Sequence, residues 1–225
     1  LMAKTWKDND ISLDSIKDQI VAVIGYGIQG DAQANNMKDS GLNVIVGLKE
    51  GGKSWKKAEA DGHKVMSVAD ATKQGDIIHI LLPDMIQGQV YKDEIEPNLS
   101  EGKALSFSHA AAIYWKWIEA SSNVDLIMVA PKGPGSKVRE TYLENFGTPS
   151  IVAVEQDFTG KAWDRTLGIA KAIGSARAGL IKTAFKEEVE TDWFGEQADL
   201  CGGAASMVTN AFETLVEGGY QPEIA

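Results

Sequence analysis

The chain has 225 residues, enough for one large domain or for one and the beginning of a second. Its 32 acidic and 22 basic side chains leave a net charge of −10, which argues against nucleic acid and anionic membrane surfaces as partners. Cys201 is the single cysteine, so no intramolecular disulfide forms and a reducing, cytoplasmic setting is expected. The polar N-terminal stretch lacks the apolar segment of a secretion signal, and no run is long enough to cross a bilayer.

Residues 1–18 read as a polar, irregular arm pinned by Trp6 and Ile16. The apolar run 20–24 then leads directly into Gly25-Tyr26-Gly27-Ile28-Gln29-Gly30 and a helix-forming stretch ending near Ser40, with Gly41 as its stop. This strand, glycine turn and helix is the pattern that cradles a dinucleotide. Gly25 permits the tight turn, Gly27 lets a pyrophosphate approach the backbone, and Gly30 allows close helix packing. The unpaired amides at the helix start face the phosphates. A purely structural glycine turn is the alternative.

A second strand is predicted over 43–48, and further strands over 76–83, 103–109, 124–131 and 150–154. Helices over 53–61, 68–74, 85–91, 137–145 and 161–173 alternate with them. Apolar runs alternating with helices indicate an α/β fold with a Rossmann-like, doubly wound parallel sheet, here assigned to residues 1–184. Residues 185–225 carry no strand signal and read as the start of an all-helical domain. Met207, Val208, Ala211, Phe212, Leu215 and Val216 recur at helical spacing there, so an apolar stripe awaiting a partner is expected.

In doubly wound sheets ligands sit beyond the carboxyl ends of the strands. Pro83-Asp84, Ser108-His109 and Pro131-Lys132 occupy those ends. The loop after the second strand selects the dinucleotide. Lys49, Lys53 and Ser54 favour a 2′-phosphate, Glu50 leaves the non-phosphorylated form open, and a solvated charged loop is the plain reading. Among the histidines, His79 reads as a core residue, His63 lies in a turn, and His109 reaches the crevice. Further on, Glu188, Asp192 and Glu196 fall at i, i+4 and i+8 on one helix face. Three acids on one stripe repel one another unless a cation or a basic partner neutralises them, and oxygen donors suit Mg²⁺; from composition alone a solvated acidic face is the plain reading.

Taken together, these motifs resemble ketol-acid reductoisomerase. The resemblance rests on the glycine turn with Ala32-Gln33-Ala34, on Val46-Gly-Leu48, Leu82-Pro83-Asp84-Met85 and Phe107-Ser-His109. It continues through Met128 to Gly135, and through Thr191-Asp-Trp-Phe-Gly-Glu-Gln197 with Cys201-Gly-Gly203. It implies Mg²⁺-dependent alkyl migration in 2-acetolactate or 2-aceto-2-hydroxybutyrate, followed by reduction to a 2,3-dihydroxy acid in branched-chain amino-acid biosynthesis. The implied cofactors are NADPH, with NADH possible, and two Mg²⁺ ions. Asp192 and Glu196 match metal ligands, while His109, Lys132 and Glu188 match catalytic or supporting positions. Gly25, Tyr26, Gly27, Ile28, Gln29, Gly30, Lys49, Lys53, Ser54, Leu82, Pro83, Asp84, Gln87, His109 and Gly135 match the cofactor site. The partner implied is a small 2-hydroxy-3-keto acid, together with a homodimer or higher homo-oligomer.

Two departures stand out. Ala110-Ala111-Ala112 follows Ser108-His109 where the family has Gly-Phe, and Gly52 replaces a frequent serine in the selectivity loop, which relaxes the preference toward NADH. Family members continue past Ala225 into a knotted helical domain with further metal-ligating glutamates. The expectation is therefore a chain holding the cofactor domain and half a metal site, with an impaired NAD(P)-binding fragment as the alternative to a turning-over enzyme.

Overall fold

The structure is a computed structural model describing residues 3–225; the first two residues of the predicted N-terminal arm lie outside the described residues. The chain divides into two compact units, Leu1–Phe185 and Lys186–Ala225.

The first unit is built on a sheet of nine strands in the order β1-β9-β8-β7-β6-β5-β2-β3-β4. β2 (Ile20–Ile24) is its organising strand. It pairs in parallel with β3 (Asn43–Gly47) on one side and β5 (Ile77–Ile80) on the other, and α1 (Ile28–Asp39) makes the first crossover. From β3 the chain continues outward through α2 (Lys53–Ala60) to β4 (Lys64–Met66). It then returns through α3 (Val68–Gln74) across β2 to β5, so the winding direction reverses between β2 and β5. That reversal opens the crevice in which doubly wound folds bind ligands.

Next come α4 (Asp84–Val90), β6 (Ala104–Phe107), α5 (Ala111–Tyr114) and β7 (Asp125–Pro131), still in parallel register. Register places Gly47, Ile24, Ile80, Phe107 and Met128 level across five strands. Leu48, Gly25, Leu81 and Ser108 therefore form the rim one residue beyond, while β7 runs on to Pro131. Ile24, Ile77, Ile78, Ile80, Leu105, Phe107, Ile127 and Met128 are fully buried, as expected for strands covered on both faces.

The doubly wound parallel sheet is as expected through β7, and beyond it the sheet gains antiparallel pairs that the expectation did not include. α6 (Gly135–Leu143) packs beside α1, and β8 (Ser150–Gln156) starts opposite Pro131, at the end of the sheet where β7 finished. It must therefore run back antiparallel. α7 (Ala162–Ala172) and α8 (Ser175–Ala178) lead to β9 (Leu180–Lys182), parallel to β8, and β1 (Thr5–Trp6) closes the edge antiparallel to β9. β1, β4 and β9 have two or three residues each, too few to show a period in the sequence.

In the second unit, α9 (Phe185–Gly195) passes into a π turn at Glu196–Leu200, where one continuous helix was expected over 185–200. α10 (Gly203–Glu217) follows. A side chain at Gly203 would sit 2.0 Å from the Ala198 carbonyl oxygen, so only glycine admits this junction. Met207, Val208, Phe212 and Leu215 are exposed along α10, matching the predicted stripe. Among the described residues no helix is long and apolar enough to cross a membrane.

Candidate functional site

The glycine turn sits at the reversal of the sheet. Gly25 adopts φ +99°, and a Cβ there would lie 2.8 Å from the Leu81 carbonyl oxygen, so the turn is locked against the β5 rim. Gly30 is equally constrained, since its Cβ would meet the Gly25 carbonyl oxygen at 2.3 Å. It packs the helix onto its own turn rather than onto the strand. Gly27 differs from both. It is the N-cap of α1 without a side-chain cap bond, it is exposed, and a Cβ on it would meet nothing within 4 Å. That open space beside the unpaired amides of a twelve-residue helix fits a phosphate group.

The other predicted cofactor residues are distributed around this turn. Ile28 is 72% exposed and Gln29 half-buried, with its side-chain Nε2 donating to the Gly133 carbonyl at 3.1 Å. The Tyr26 side chain turns away into the protein. Its hydroxyl donates to Asp61 Oδ2 at 2.8 Å and accepts from Asn35 Nδ2 at 2.9 Å. Burial first, then the hydrogen bond to the Asp61 carboxylate, pushes its pKa well above the usual tyrosine value. Tyr26 therefore braces the turn against the end of α2. Lys57 on α2 pairs with Asp31 on α1.

Lys49 and Lys53 are exposed and Ser54 half-buried at the start of α2, whose N-cap is Gly52, again without a side-chain cap bond. On the β5 rim Leu82 and Asp84 are half-buried and Pro83 exposed. Gln87 is buried, and its Nε2 donates to Leu82 O at 2.8 Å and Asp84 Oδ1 at 3.1 Å, so it shapes this loop from beneath. Its Oε1 is buried without a partner among the described residues. A buried Gly135 brings the start of α6 against α1, because a Cβ there would lie 2.3 Å from the Ile28 carbonyl oxygen. Beside these two helix starts is a cavity of about 340 Å³ lined by residues that include Gly27, Asp31, Lys57, Ser136 and Arg139. Lys57 and Arg139 carry no motif of their own, and nothing in the sequence pointed to them.

At the β6 and β7 ends, His109 is half-buried and Lys132 exposed. The sequence placed His79 in the core, and it is fully buried with both ring nitrogens bonded, to Ser106 Oγ and Gln33 Oε1, each at 2.8 Å. Burial pushes its pKa down to about 4, so it is neutral near pH 7. Its link to α1 through Gln33 joins residues 46 positions apart and is invisible in the sequence.

On α9, Glu188 is buried while Asp192 and Glu196 are half-buried. The carboxylate oxygens of Glu188 and Asp192 come within 4.8 Å of each other. Glu196, which opens the π turn, accepts from the Cys201 thiol at 2.6 Å, and this bond raises the thiol pKa. Closely spaced oxygens one helical turn apart are a donor set suited to a hard divalent cation.

A sheet wound both ways from β2, with an open glycine turn at the reversal, defines a dinucleotide-binding domain of the Rossmann class. Residues 15–179 match the family profile described as acetohydroxy acid isomeroreductase, NADPH-binding domain, and residues 185–225 match ketol-acid reductoisomerase, C-terminal domain. The chain belongs to the ketol-acid reductoisomerase family. It is 93% identical over 224 residues to the ketol-acid reductoisomerase (NADP(+)) of Nitrosopumilus maritimus and 81% identical to that of Cenarchaeum symbiosum, covering all of this chain and 68% of each relative. A solved NADH-preferring ketol-acid reductoisomerase from an uncultured archean superposes with a TM-score of 0.93 at 46% identity, over 98% of this chain and 68% of that one.

Proposed function

We propose that the chain carries out the NAD(P)H-linked reductoisomerase chemistry of its family, converting a 2-hydroxy-3-keto acid such as 2-acetolactate into a 2,3-dihydroxy acid. The observation that supports the dinucleotide half most strongly is the open space over Gly27 at the start of α1. In this reading the amides after Gly27 hold the pyrophosphate, and Lys49, Lys53 and Ser54 hold a 2′-phosphate, which favours NADPH. Leu82, Pro83 and Asp84 line the far side of the cofactor, with Gln87 keeping their loop in place. Bound NADPH supplies hydride, and Mg²⁺ held by Asp192 and Glu196, with Glu188 in support, supplies Lewis acidity toward neighbouring oxygens of the substrate.

The remaining roles belong to side chains at the strand ends. Lys132, a compact cation, attracts the substrate carboxylate. His109 holds or moves a proton at a ring nitrogen near the cofactor. A homodimer or larger assembly is supported by the exposed apolar residues of α10, and a cytoplasmic location by the single cysteine.

NADPH oxidation followed at 340 nm, a general absorbance of reduced nicotinamide, tests the reading. Absorbance is expected to fall only when 2-acetolactate and Mg²⁺ are both present, and Asp192→Asn to abolish that fall. Oxidation that proceeds equally well in a chelator would refute the metal assignment.

A further inference from the structure

A chain of hydrogen bonds beneath the crevice has a direction that can be worked out from one end. Gln29 Nε2 lies 3.1 Å from the Gly133 carbonyl oxygen, which only accepts, so Gln29 must present its amide nitrogen there and its Oε1 toward Gln33. Gln33, fully buried, must then present Nε2 to Gln29 Oε1 at 3.0 Å, and its second amide hydrogen goes to Ser108 Oγ, also at 3.0 Å. Its Oε1 is left facing His79 Nε2 at 2.8 Å. His79 therefore donates from Nε2, and Nδ1 accepts from the Ser106 hydroxyl at 2.8 Å. Ser108 Oγ also lies 3.4 Å from Gln33 Oε1, a long donor contact at the limit of hydrogen-bond distance. A backbone carbonyl thus sets the tautomer of a histidine three side chains away.

The consequence falls on Ser108. It accepts from Gln33 at 3.0 Å, and the acceptor for its own hydroxyl hydrogen among the described residues is Gln33 Oε1 at 3.4 Å, a weak contact that a ligand oxygen at ordinary distance would outcompete. Ser108 is half-buried on the rim, one residue beyond β6. The selectivity loop lies past β3, on the opposite side of the glycine turn, and takes the adenosine end of a dinucleotide. The β6 end therefore falls to the nicotinamide half.

We propose that Gln33 and His79 are positioning residues that hold the Ser108 hydroxyl as a hydrogen-bond donor to an oxygen acceptor on the nicotinamide half of the cofactor. This rests on the dinucleotide reading above. The relay needs no proton transfer; His79 is neutral and serves to fix the orientation of the Gln33 amide.

Two measurements on the full chain test it. Long-range ¹H–¹⁵N correlation spectra of the ligand-free protein at pH 7 are expected to show His79 as the Nε2–H tautomer; the Nδ1–H tautomer would overturn the relay. In Q33E a carboxylate has only acceptor oxygens at neutral pH, so the Ser108 hydroxyl turns inward to donate to it. Calorimetry should then show NADPH binding about 5- to 10-fold more weakly, the size of one lost hydrogen bond, while 2′,5′-ADP, which lacks the nicotinamide half, binds within twofold of wild type. NADPH affinity changed less than threefold, or an equal loss for both ligands, would overturn the proposal. Wild-type protein that binds neither ligand would instead refute the dinucleotide reading, and the tautomer would still decide the relay.

Discussion

Gly27 and Gly30 are three positions apart in one turn, yet alanine should do opposite things at the two sites. At Gly30 the added Cβ would lie 2.3 Å from the Gly25 carbonyl oxygen and 2.9 Å from its carbon, against an ordinary contact of about 3.5 Å. Both atoms are backbone, so the turn itself must open by about 1 Å. Overpacking of that kind costs about 1–3 kcal/mol, and the better helix propensity of alanine offsets only about 1 kcal/mol of it. At Gly27 the backbone is extended, with φ −81° and ψ −156°, and no atom lies within 4 Å of where the methyl carbon would stand. Loss of a favourable N-cap and reduced freedom of the unfolded chain nearly cancel, so stability should stay within about 1 kcal/mol. The methyl group would, however, fill the space the pyrophosphate needs, and NADPH binding should weaken at least about tenfold, or about 1.4 kcal/mol. Urea unfolding and calorimetric titration of both variants separate the two effects. Gly27→Ala protein that binds NADPH as tightly as wild type would refute the phosphate placement, and Gly30→Ala protein as stable as wild type would refute the packing argument.

Three further expectations concern other parts of the first unit. Asp125 is fully buried and accepts from Phe158 N, Thr159 N, Thr159 Oγ1 and Arg165 Nη1 at 2.7–2.9 Å, so Asp125→Asn should cost about 3–5 kcal/mol in urea unfolding, and a loss below about 1 kcal/mol would contradict it. Gly52→Ser adds a hydroxyl at the N-cap of α2, where its Cβ is 3.2 Å from Lys49 O, and should raise the NADPH-to-NADH affinity ratio by about fivefold; an unchanged ratio would remove this loop from 2′-phosphate recognition. His79 has a folded pKa depressed to about 4 against 6.5 unfolded, so the stability it contributes is present above pH 6.5 and is lost as pH falls toward 4, when the unfolded chain takes up the proton. By pH 5 that loss is about 2 kcal/mol, read as the difference in pH slope between wild type and His79→Asn; identical slopes would contradict the buried, neutral histidine.

Much of the first unit is legible in the sequence because its signals are local. An apolar five-residue run ending in a glycine turn reads as a buried strand, and the helices expected over 53–61, 68–74, 85–91, 137–145 and 161–173 begin and end within two residues of those limits, whereas the four-residue α5 and α8 are too short to show a period. What the sequence does not carry is direction. Nothing in residues 150–156 says that β8 runs against β7, since an apolar run reads alike both ways; the antiparallel pairing follows from where the chain emerges opposite Pro131. The site shows the same division. Gly25, Gly27 and Gly30 are found by spacing, whereas Gln33, His79 and Ser108 meet only because α1 crosses beneath the ends of β5 and β6. Tyr26 shows what a motif leaves open: its place in the glycine turn sets it beside the cavity, while its hydroxyl reaches Asp61 and Asn35, partners that spacing does not reveal.

The central claim is that the crevice between β2 and β5 receives a dinucleotide with its phosphates on the first turn of α1. Titrating NADPH into ¹⁵N-labelled protein and following the backbone amides tests it most directly. The largest shifts should fall on Gly27, Ile28, Gln29 and Gly30, with smaller ones on Lys53, Ser54 and Ser108, and none at residues 157–160, beyond the opposite end of β7. Shifts concentrated on that opposite end, with the Gly27 to Gly30 amides unmoved at saturation, would contradict it.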